Sequence, residues 1–555
     1  MKRAHGTLRS RIALIAGVVL IVAATAGFAG FSDSDYFLKI NRSIDLFGRV
    51  YKEIASNYVD EIDPENFMQA GIDGMLGTLD PYTVYIDKED GDEVDLLTNG
   101  KYGGIGITIG QRDGSIEVST VMDGYSAQRQ GIIPGDRILE INGVKVEGKK
   151  PNDVRNLTRG EPGTEVKVSI HREGEANPIE FALVREEIQV KNVTHTEFVR
   201  DGIAYIRLER FSRRAGDEVR QAIKELKLKG DIRGVVLDLR GNPGGLLDAA
   251  VEVVSKFVPQ GSLIVSTKGR RPEADKKYYS TEEPLVPDAP LVVLADRNSA
   301  SASEIVAGGL QDLDRAVIVG TRTFGKGLVQ TIMPLNYGAQ LKITTARYYT
   351  PSGRSIQEID YMHKDKNGVF RTVPDSMRRE YKTTHGRKVY EYGGIAPDSL
   401  VTPADTGPMV RELYRKSLFF KFANKYLSEH KQPPVTEITD GILDAFKKFL
   451  EEAKFDYQEE SDLKVKDLKQ IAMRSHYGNE VLSDLELLTT ALAKEKVRGF
   501  ERYKDHLKHE LSVEFMGRTR GEHGRIEASL QNDIQLETAI AIVKDSTLYK
   551  KKIKS

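Results

Sequence analysis

The sequence predicts a multidomain α/β protein with helical regions at both ends. Its 555 residues exceed the size of one ordinary domain. Short, apolar, β-branched runs at Gly234–Arg240, Pro290–Asp296 and Ala316–Val319 indicate buried strands, and the first two lead through polar turns into helical patterns. Strands that alternate with helices are typical of a sheet covered by helices.

Composition narrows the class of protein. The formal net charge is −1 and 39% of the residues are hydrophobic, which fits an ordinary globular protein and gives no sign of a nucleic-acid partner. The chain contains no cysteine. This excludes a cysteine nucleophile, a lipobox and thiolate metal sites, and it removes disulfides as an indicator of the compartment.

The N-terminus has the pattern of an export sequence, here assigned to residues 1–35. An uncharged stretch at 12–31 follows the basic residues Lys2, Arg3, Arg9 and Arg11. Cleavage after Ala26 or Ala29 is one expectation, and an uncleaved membrane anchor, which we favour slightly, is the other. Either places the remaining chain in the periplasm or cell envelope. Residues 36–99 read as a mainly helical region.

A candidate serine nucleophile lies where strand 290–296 turns into a helix predicted for Ser303–Leu313. Ser301 sits at this turn, and Lys326 follows between two glycines with no histidine between them. A serine activated by a desolvated lysine is an established variant of the catalytic triad. Ser301 followed by Glu304 also fits a helix-capping box, so a purely structural role stays open at this point.

A second turn, Gly241–Gly245, joins strand 234–240 to a helix predicted from Leu246 to about Val258. Adjacent glycines let backbone N–H groups approach a substrate carbonyl, as an oxyanion hole requires. The alternative is an ordinary strand-to-helix turn. Because both turns follow strands of one α/β sheet, they are expected at the edge where active sites gather.

Gly320–Lys326 matches the first seven positions of a phosphate-binding P-loop. A P-loop continues with serine or threonine and then a helix. Here Gly327 follows, and Leu328–Leu335 ends at proline and reads as a strand. Nucleotide hydrolysis is therefore a minor alternative.

Several motifs occur in the order found in the C-terminal processing (tail-specific) serine proteases, and the chain resembles this family. They are Leu79–Tyr85, Leu239–Gly245, Ser299–Glu304, Gln311–Asp312, and Thr323–Gly327 with Gln330. The resemblance implies a PDZ-like β-barrel inserted in a Ser-Lys protease core of the crotonase/ClpP-like type. The core is assigned to residues 188–404, in which 389–401 resembles the return of the chain to the sheet.

The resemblance implies that Ser301 attacks the peptide carbonyl and forms an acyl-enzyme. Lys326 would be the general base and Gln330 would help orient it. On a strand, residues 326, 328 and 330 share a face, so lysine and glutamine are expected to point into one site.

The oxyanion hole is implied at the N–H of Ala302 and of Gly244 or Gly245. Asp312 matches an aspartate of the family pattern. A carboxylate beside Lys326 would keep the lysine charged. We therefore interpret Asp312 as a structural residue in a cap or an ion pair.

Residues 100–187 resemble a PDZ domain. Tyr102–Gly110 is a strand interrupted by paired glycines, and Gly131–Gly143 contains a turn, a strand and a tight Asn-Gly turn. In such domains the peptide adds as a strand, and its terminal carboxylate would be captured here by Gly104, Ile105, Gly106 and Ile107. On a helix predicted for 152–159, Val154 and Leu157 are candidates for the side-chain pocket, with core packing as the alternative.

Residues 405–555 read as a helical domain with a break at Gln432–Pro434. It is a candidate for oligomerisation, adaptor binding or shielding of the active site, with a plain structural role as the alternative. The basic end, Lys550–Lys554, is interpreted as a solvated tail. His363 and His385 are interpreted as surface residues, and no metal or other cofactor is expected.

The leading hypothesis is an exported serine endopeptidase that recognises protein or peptide substrates by accessible C-termini and cuts upstream of them. The alternatives are a PDZ adaptor with an inactive protease core and a P-loop NTPase. Binding without turnover would favour the adaptor, and nucleotide binding at Lys326 would favour the NTPase.

Overall fold

The computed structural model describes residues 35–88, 91–364, 369–430 and 437–554. The predicted export segment at 12–31 lies outside the described residues. Among the helices within them, none is both long and apolar enough to cross a membrane. The chain divides into two compact units, one ending at Tyr85 and the other beginning at Ile86.

The first unit is helical, as predicted. Residues 35–57 form helix α1 and Pro64–Leu76 form α2. The Asp63 carboxylate caps α2 by accepting from the N–H groups of Glu65 and Asn66. Strand β1 (Val84–Ile86) spans the unit boundary along the chain.

The second unit begins with helix α3 (Gly91–Asn99) and strand β2 (Lys101–Gly104), and then forms the PDZ-like domain. The domain contains β3 (Ile107–Arg112), β4 (Ser115–Val121), α4 (Ser126–Gln130), β5 (Arg137–Ile141), β6 (Val144–Lys145), α5 (Pro151–Thr158), β7 (Glu165–His171) and β8 (Ile179–Val184). Its sheet has the order β3-β4-β5-β7-β8, with β6 paired to β5. Strand β9 (Glu186–Gln189) leaves the domain and pairs antiparallel with β2.

The protease core is built on a six-stranded sheet of order β10-β11-β12-β15-β16-β23. Its strands are β10 (Val193–Arg200), β11 (Ile203–Leu208), β12 (Gly234–Asp238), β15 (Leu291–Ala295), β16 (Val317–Gly320) and β23 (Ser399–Leu400). All neighbours pair parallel except β10 with β11. The strands predicted in the three apolar runs are confirmed, and β23 is the predicted return of the chain.

Other elements of the core flank this sheet. The helices are α6 (Ala215–Lys229), α7 (Leu247–Ser255) and α8 (Ala302–Asp312), and the strands are β13 (Leu263–Gly269), β14 (Lys276–Tyr279), β17 (Leu328–Pro334), β18 (Gln340–Tyr349), β19 (Ile359–Lys364), β20 (Phe370–Thr372), β21 (Glu380–Lys382) and β22 (Lys388–Tyr390). Strand β18 pairs with β13 and β17. The strand β17, where a P-loop would continue as a helix, confirms that the P-loop match is incidental.

The C-terminal region is helical, as predicted. It contains α9 (Gly407–Arg415), α10 (Leu418–Glu429), α11 (Asp440–Glu452), α12 (Glu460–Arg474), α13 (Asn479–Val497), α14 (Gly499–Arg502), α15 (Lys504–Thr519), α16 (Gly521–Ser529), α17 (Ile534–Lys544) and α18 (Ser546–Lys554). A cluster rich in phenylalanine, including Phe419, Phe422, Phe446 and Phe515, forms its own core.

The last two helices belong to the protease core. Strand β12 is fully buried, with Val235 and Leu237 packed among α6, α7 and α8, and Val236 packed against α17. A parallel sheet must be covered on both faces, and α17 covers the second one. Lys550–Lys554 is not a free tail, because it belongs to α18, in which Ile553 packs against the same cluster as α17 and the Lys552 amine donates to the Asp398 carbonyl at 3.0 Å. The side chains of Lys550, Lys551 and Lys554 are exposed, as predicted.

Candidate active site

Ser301 lies between β15 and α8 with a strained backbone. Its φ is 56° and its ψ is −112°, a conformation that is uncommon for a residue other than glycine. The residue is half-buried, whereas every residue of α8 behind it is buried. Strain of this kind is characteristic of a nucleophile held at a strand-to-helix turn.

The Glu304 carboxylate, in the first turn of α8, joins the serine turn to the lysine loop. Its Oε1 accepts from the Thr323 hydroxyl at 2.6 Å and from the Gly325 N–H at 2.7 Å. Its Oε2 accepts from the N–H groups of Ser301 and Lys326, each at 2.9 Å. The sequence suggested only a cap for Glu304, and the single structural hint there was its spacing from Ser301.

Burial changes the acidity of this carboxyl. Glu304 is fully buried, and desolvation raises its pKa to about 7, although the hydrogen bonds from Thr323, Lys326, Gly325 and Ser301 act to lower it. A carboxylate near a lysine base would favour the charged lysine. Because the pKa of Glu304 is raised, its carboxyl carries only part of its charge near neutral pH. It therefore favours the charged form of a nearby lysine less strongly than an ordinary carboxylate would.

Tyr348, on β18, makes a second link between the same two segments. Its buried hydroxyl donates to the carbonyl of Ser301 at 3.1 Å and to that of Lys326 at 2.7 Å. Burial holds the pKa of Tyr348 well above its usual value, so the hydroxyl stays a donor. The main chains of Ser301 and Lys326 are therefore fixed side by side through both their N–H and C=O groups.

The strand argument for Lys326 and Gln330 is wrong in its geometry. Strand β17 begins at Leu328, so Lys326 lies in the preceding loop, and the pairing of β17 with β18 shifts between Val329 and Gln330. Simple alternation therefore does not apply across these residues. The Gln330 amide N–H donates to the Thr344 hydroxyl at 3.1 Å, which fixes the glutamine side chain on the sheet surface.

The two adjacent glycines face different neighbours. A Cβ on Gly244, whose φ is +102°, would lie 2.6 Å from the Ala300 carbonyl oxygen and 2.9 Å from the Ala302 nitrogen. A Cβ on Gly245, whose φ is +152°, would lie 2.3 Å from the Phe211 carbonyl oxygen. Gly244 thus approaches the serine turn directly, and its N–H donates to the Asn242 side chain at 2.8 Å.

Asn242 is a fully buried residue that sequence reasoning did not single out. Its main-chain carbonyl accepts from the Ala300 N–H at 3.0 Å and from the Ser303 hydroxyl at 2.9 Å. Its side-chain amide donates to the Leu208 carbonyl at 2.7 Å. It therefore locks the glycine turn onto the serine turn. The sequence signal for this role is a single asparagine in the turn Gly241–Gly245, whose other residues are glycine and proline, because a buried polar side chain must find hydrogen-bond partners.

Helix α17 reaches this turn through Arg240. The guanidinium pairs with Asp238 at 2.6 Å and with Asp533 at 2.7 Å, and it donates to Gln535 at 2.9 Å. Burial alone would raise the pKa of Asp238, but Arg240 and Arg207 outweigh it and lower the pKa. The C-terminal helices thus brace the start of the glycine turn.

Asp312 lies at the far end of α8 and forms an ion pair with Arg354 at 2.8 Å. Both side chains are almost fully buried, and the second Asp312 oxygen accepts from the Ser352 N–H at 3.1 Å. The predicted ion pair is confirmed.

The PDZ-like domain carries a groove with a cavity of about 310 Å³. Gly104, Ile105 and Ile107 line it, as does Arg210 from the protease core. Helix α5 contributes Arg155 and Thr158 to the lining, and Arg159 follows directly after the helix. Of the two expected pocket residues, Val154 is fully buried in the domain core and Leu157 packs against that core, which favours the packing alternative.

The described residues contain no cluster of histidine, aspartate and glutamate able to hold a metal ion. His363 and His385 are exposed, as predicted, with 71% and 61% of their side-chain surface accessible.

Known protein families match the chain in four segments. Residues 202–364 match peptidase family S41, and residues 93–171 match the PDZ domain. Residues 409–543 match the family described as "Probable PDZ-protease, C-terminal helical domain", and 32–90 match "Activating protease CtpB N-terminal domain".

Named relatives agree with these matches. The carboxy-terminal-processing protease of Bartonella bacilliformis is 38% identical over 63% of this chain and 81% of its own length. The carboxy-terminal processing protease CtpB of Bacillus subtilis is 34% identical over 57% of this chain and 66% of its own length. A solved photosystem II D1 C-terminal processing protease is 28% identical over 64% of this chain and 92% of its own, with a TM-score of 0.35.

The α/β core, the serine turn and the PDZ-like domain define a serine peptidase. The chain belongs to the carboxy-terminal processing proteases of peptidase family S41.

Proposed function

We propose that this chain is an exported endopeptidase that recognises the C-terminal tail of a protein substrate through its PDZ domain and cleaves upstream of that tail. Ser301 is the nucleophile and Lys326 the general base. The observation that carries the proposal is the double link between their main chains, through Glu304 and Tyr348.

In the first step the Ser301 hydroxyl adds to the scissile carbonyl while Lys326, in its neutral form, accepts the hydroxyl proton. The oxyanion receives hydrogen bonds from the N–H of Ala302 and of Gly244 or Gly245. The close approach of Gly244 to Ala302 supports a shared oxyanion site for these residues. For Gly244 to donate, its N–H must exchange the Asn242 side chain for the substrate oxygen.

Collapse of the tetrahedral intermediate breaks the C–N bond. Lys326 returns the proton to the leaving amine, and the acyl group stays on Ser301. Lys326 then removes a proton from a water molecule that adds to the ester carbonyl. The C–O bond to Ser301 breaks, and Lys326 returns the proton to the serine oxygen. Gln330, whose amide N–H donates to the Thr344 hydroxyl, is proposed to orient the Lys326 amine.

Substrate choice is proposed to depend on the PDZ groove. A peptide would add as a strand along β3, with its terminal carboxylate at the Gly104–Ile107 loop. The basic residues ahead of the apolar stretch 12–31 support export to the periplasm or cell envelope.

The test uses a purified unfolded protein that ends in an accessible apolar tail. Ser301→Ala and Lys326→Ala are each expected to abolish its cleavage while the melting curve of the enzyme stays unchanged. Lys326→Arg should be equally inactive, because arginine keeps the positive charge but does not act as a base. Near wild-type turnover by any of these variants would refute the dyad, and tail binding without turnover by the wild type would indicate an adaptor.

A further inference from the structure

Arg210 lies two residues beyond the end of β11 and lines three cavities, of which two concern the peptide groove and the catalytic turn. One is the PDZ groove of about 310 Å³. The other, of about 400 Å³, adjoins the glycine turn and is lined by Gly241, Gly244 and Gly245. A protease-core side chain therefore forms part of the wall of the peptide groove.

The groove has the charge expected of an anion site. Three guanidinium groups line it, from Arg155, Arg159 and Arg210, and none of its lining residues, all of them described, is acidic. Arg210 also lies close to Tyr102, and a Cβ on Gly104 would lie 2.8 Å from the Tyr102 ring. Gly104 begins the backbone loop that would receive a terminal carboxylate.

Arg210 lacks a dedicated counterion. It forms no ion pair within the described parts of the chain, and its Nε is buried without a hydrogen-bond partner. Its acidic neighbours are already engaged, since Glu209 pairs with Arg207 at 2.8 Å and Glu218 accepts from the Asn192 N–H at 2.7 Å. A partly desolvated cation in this position gains most from an incoming anion.

The next residue connects Arg210 to the catalytic turn. The Phe211 N–H donates to the Gly244 carbonyl at 3.2 Å, and the Phe211 carbonyl accepts from the Leu246 N–H at 2.8 Å. The Gly244 carbonyl and the Gly245 N–H belong to one planar peptide group. An anion bound to Arg210 would therefore lie one residue from the hydrogen bond between Phe211 and Gly244. That bond orients the peptide group that carries the Gly245 N–H, a candidate oxyanion donor.

We propose that Arg210 is a specificity-determining residue of the protease core that binds the α-carboxylate of a peptide tail seated in the PDZ groove. The carboxylate is shared between the Gly104–Ile107 backbone loop and the Arg210 guanidinium. This inference rests on the proposed tail recognition. It makes the groove composite, since the PDZ domain supplies the strand edge and two of the arginines, and the protease core supplies Arg210.

The test measures binding in the full-length Ser301→Ala chain, so that cleavage plays no part. The probes are a fluorescent decapeptide ending in valine with a free carboxylate, and the same peptide with a C-terminal carboxamide, compared by fluorescence anisotropy. The carboxylate form is expected to bind at least about tenfold more tightly, as for a charge-assisted hydrogen bond. Adding Arg210→Gln should reduce that preference to about threefold or less.

Two further variants control the result. Arg213→Gln removes an exposed arginine of the same segment and should keep the full preference. Arg210→Lys keeps a cation but loses the planar fork, so it should retain part of the preference. This second substitution keeps the proposal open to refutation if the glutamine variant does not fold.

Other outcomes separate this inference from the proposed function. A full carboxylate preference in Arg210→Gln, or an equal loss in Arg213→Gln, overturns the role of Arg210 and leaves tail recognition intact. Failure of the parent to bind either peptide refutes tail recognition and Arg210 with it. If an amidated peptide with aspartate next to its end binds as well as the carboxylate form, and loses this in Arg210→Gln, the α-carboxylate is not the ligand.

Discussion

The buried Glu304 carboxyl gives the folded protein a specific dependence on pH. Its pKa is raised by burial to about 7, from 4.5 in the unfolded chain, so folding takes up a proton between these values. The stabilising protonated form is fully present below the unfolded pKa, and its contribution is lost as pH rises through the folded pKa. Between pH 5 and pH 8, Glu304 should lower the free energy of unfolding by about 2.5 kcal/mol.

The assay is urea unfolding at pH 5 and pH 8 in the Ser301→Ala background, which prevents self-cleavage. The loss in the free energy of unfolding between pH 5 and pH 8 should be about 2.5 kcal/mol smaller in the Glu304→Gln variant than in the parent, because glutamine does not titrate. Glu225→Gln, at an exposed position on α6, should leave this loss unchanged. Equal pH differences for the parent and the Glu304→Gln variant would refute the assigned ionisation.

Three other substitutions test the account. Gly244→Ala should lower kcat by at least about a hundredfold, because a Cβ there would clash with Ala300 and Ala302 at the proposed oxyanion site. Gly241→Ala, also at positive φ but with open space around the Cβ, should retain most turnover. Val543→Asp, on the buried face of α17, should destabilise by about 3 kcal/mol or more in urea unfolding, and Ile534→Asp, at an exposed position, should not. Asp312→Asn should lower stability by about 3–5 kcal/mol by leaving its arginine partner unpaired, while active-site labelling of the folded fraction keeps its rate.

The sequence was most informative where local patterns decide structure. The strands at 234–238 and 291–295 and the helix at 302–312 were predictable from apolar runs and their turns. The serine and glycine turns could be placed at one sheet edge by the same reasoning. The P-loop match could be rejected from the residue after Lys326 and from the strand pattern that follows.

Contacts between distant segments were not predictable. The role of Glu304 depends on Gly325 and Lys326 folding back onto α8, and nothing in local spacing indicates that return. The packing of α17 on the sheet is similar, because its apolar face has the same pattern as any amphipathic helix. The predicted strand position of Lys326 is wrong because β17 begins at Leu328, and because alternation alone does not reveal a register shift.

The most direct test of the central claim is to map where a fluorophosphonate probe reacts. The probe phosphonylates an activated serine, whose oxygen displaces fluoride from phosphorus, and this needs no tail. Peptide mass spectrometry identifies the modified residue. Labelling of Ser301 is expected in the wild-type chain, with the rate reduced at least about a hundredfold in Lys326→Ala. Labelling at Ser303 or elsewhere, or labelling of Lys326→Ala at the wild-type rate, would contradict the Ser301–Lys326 dyad.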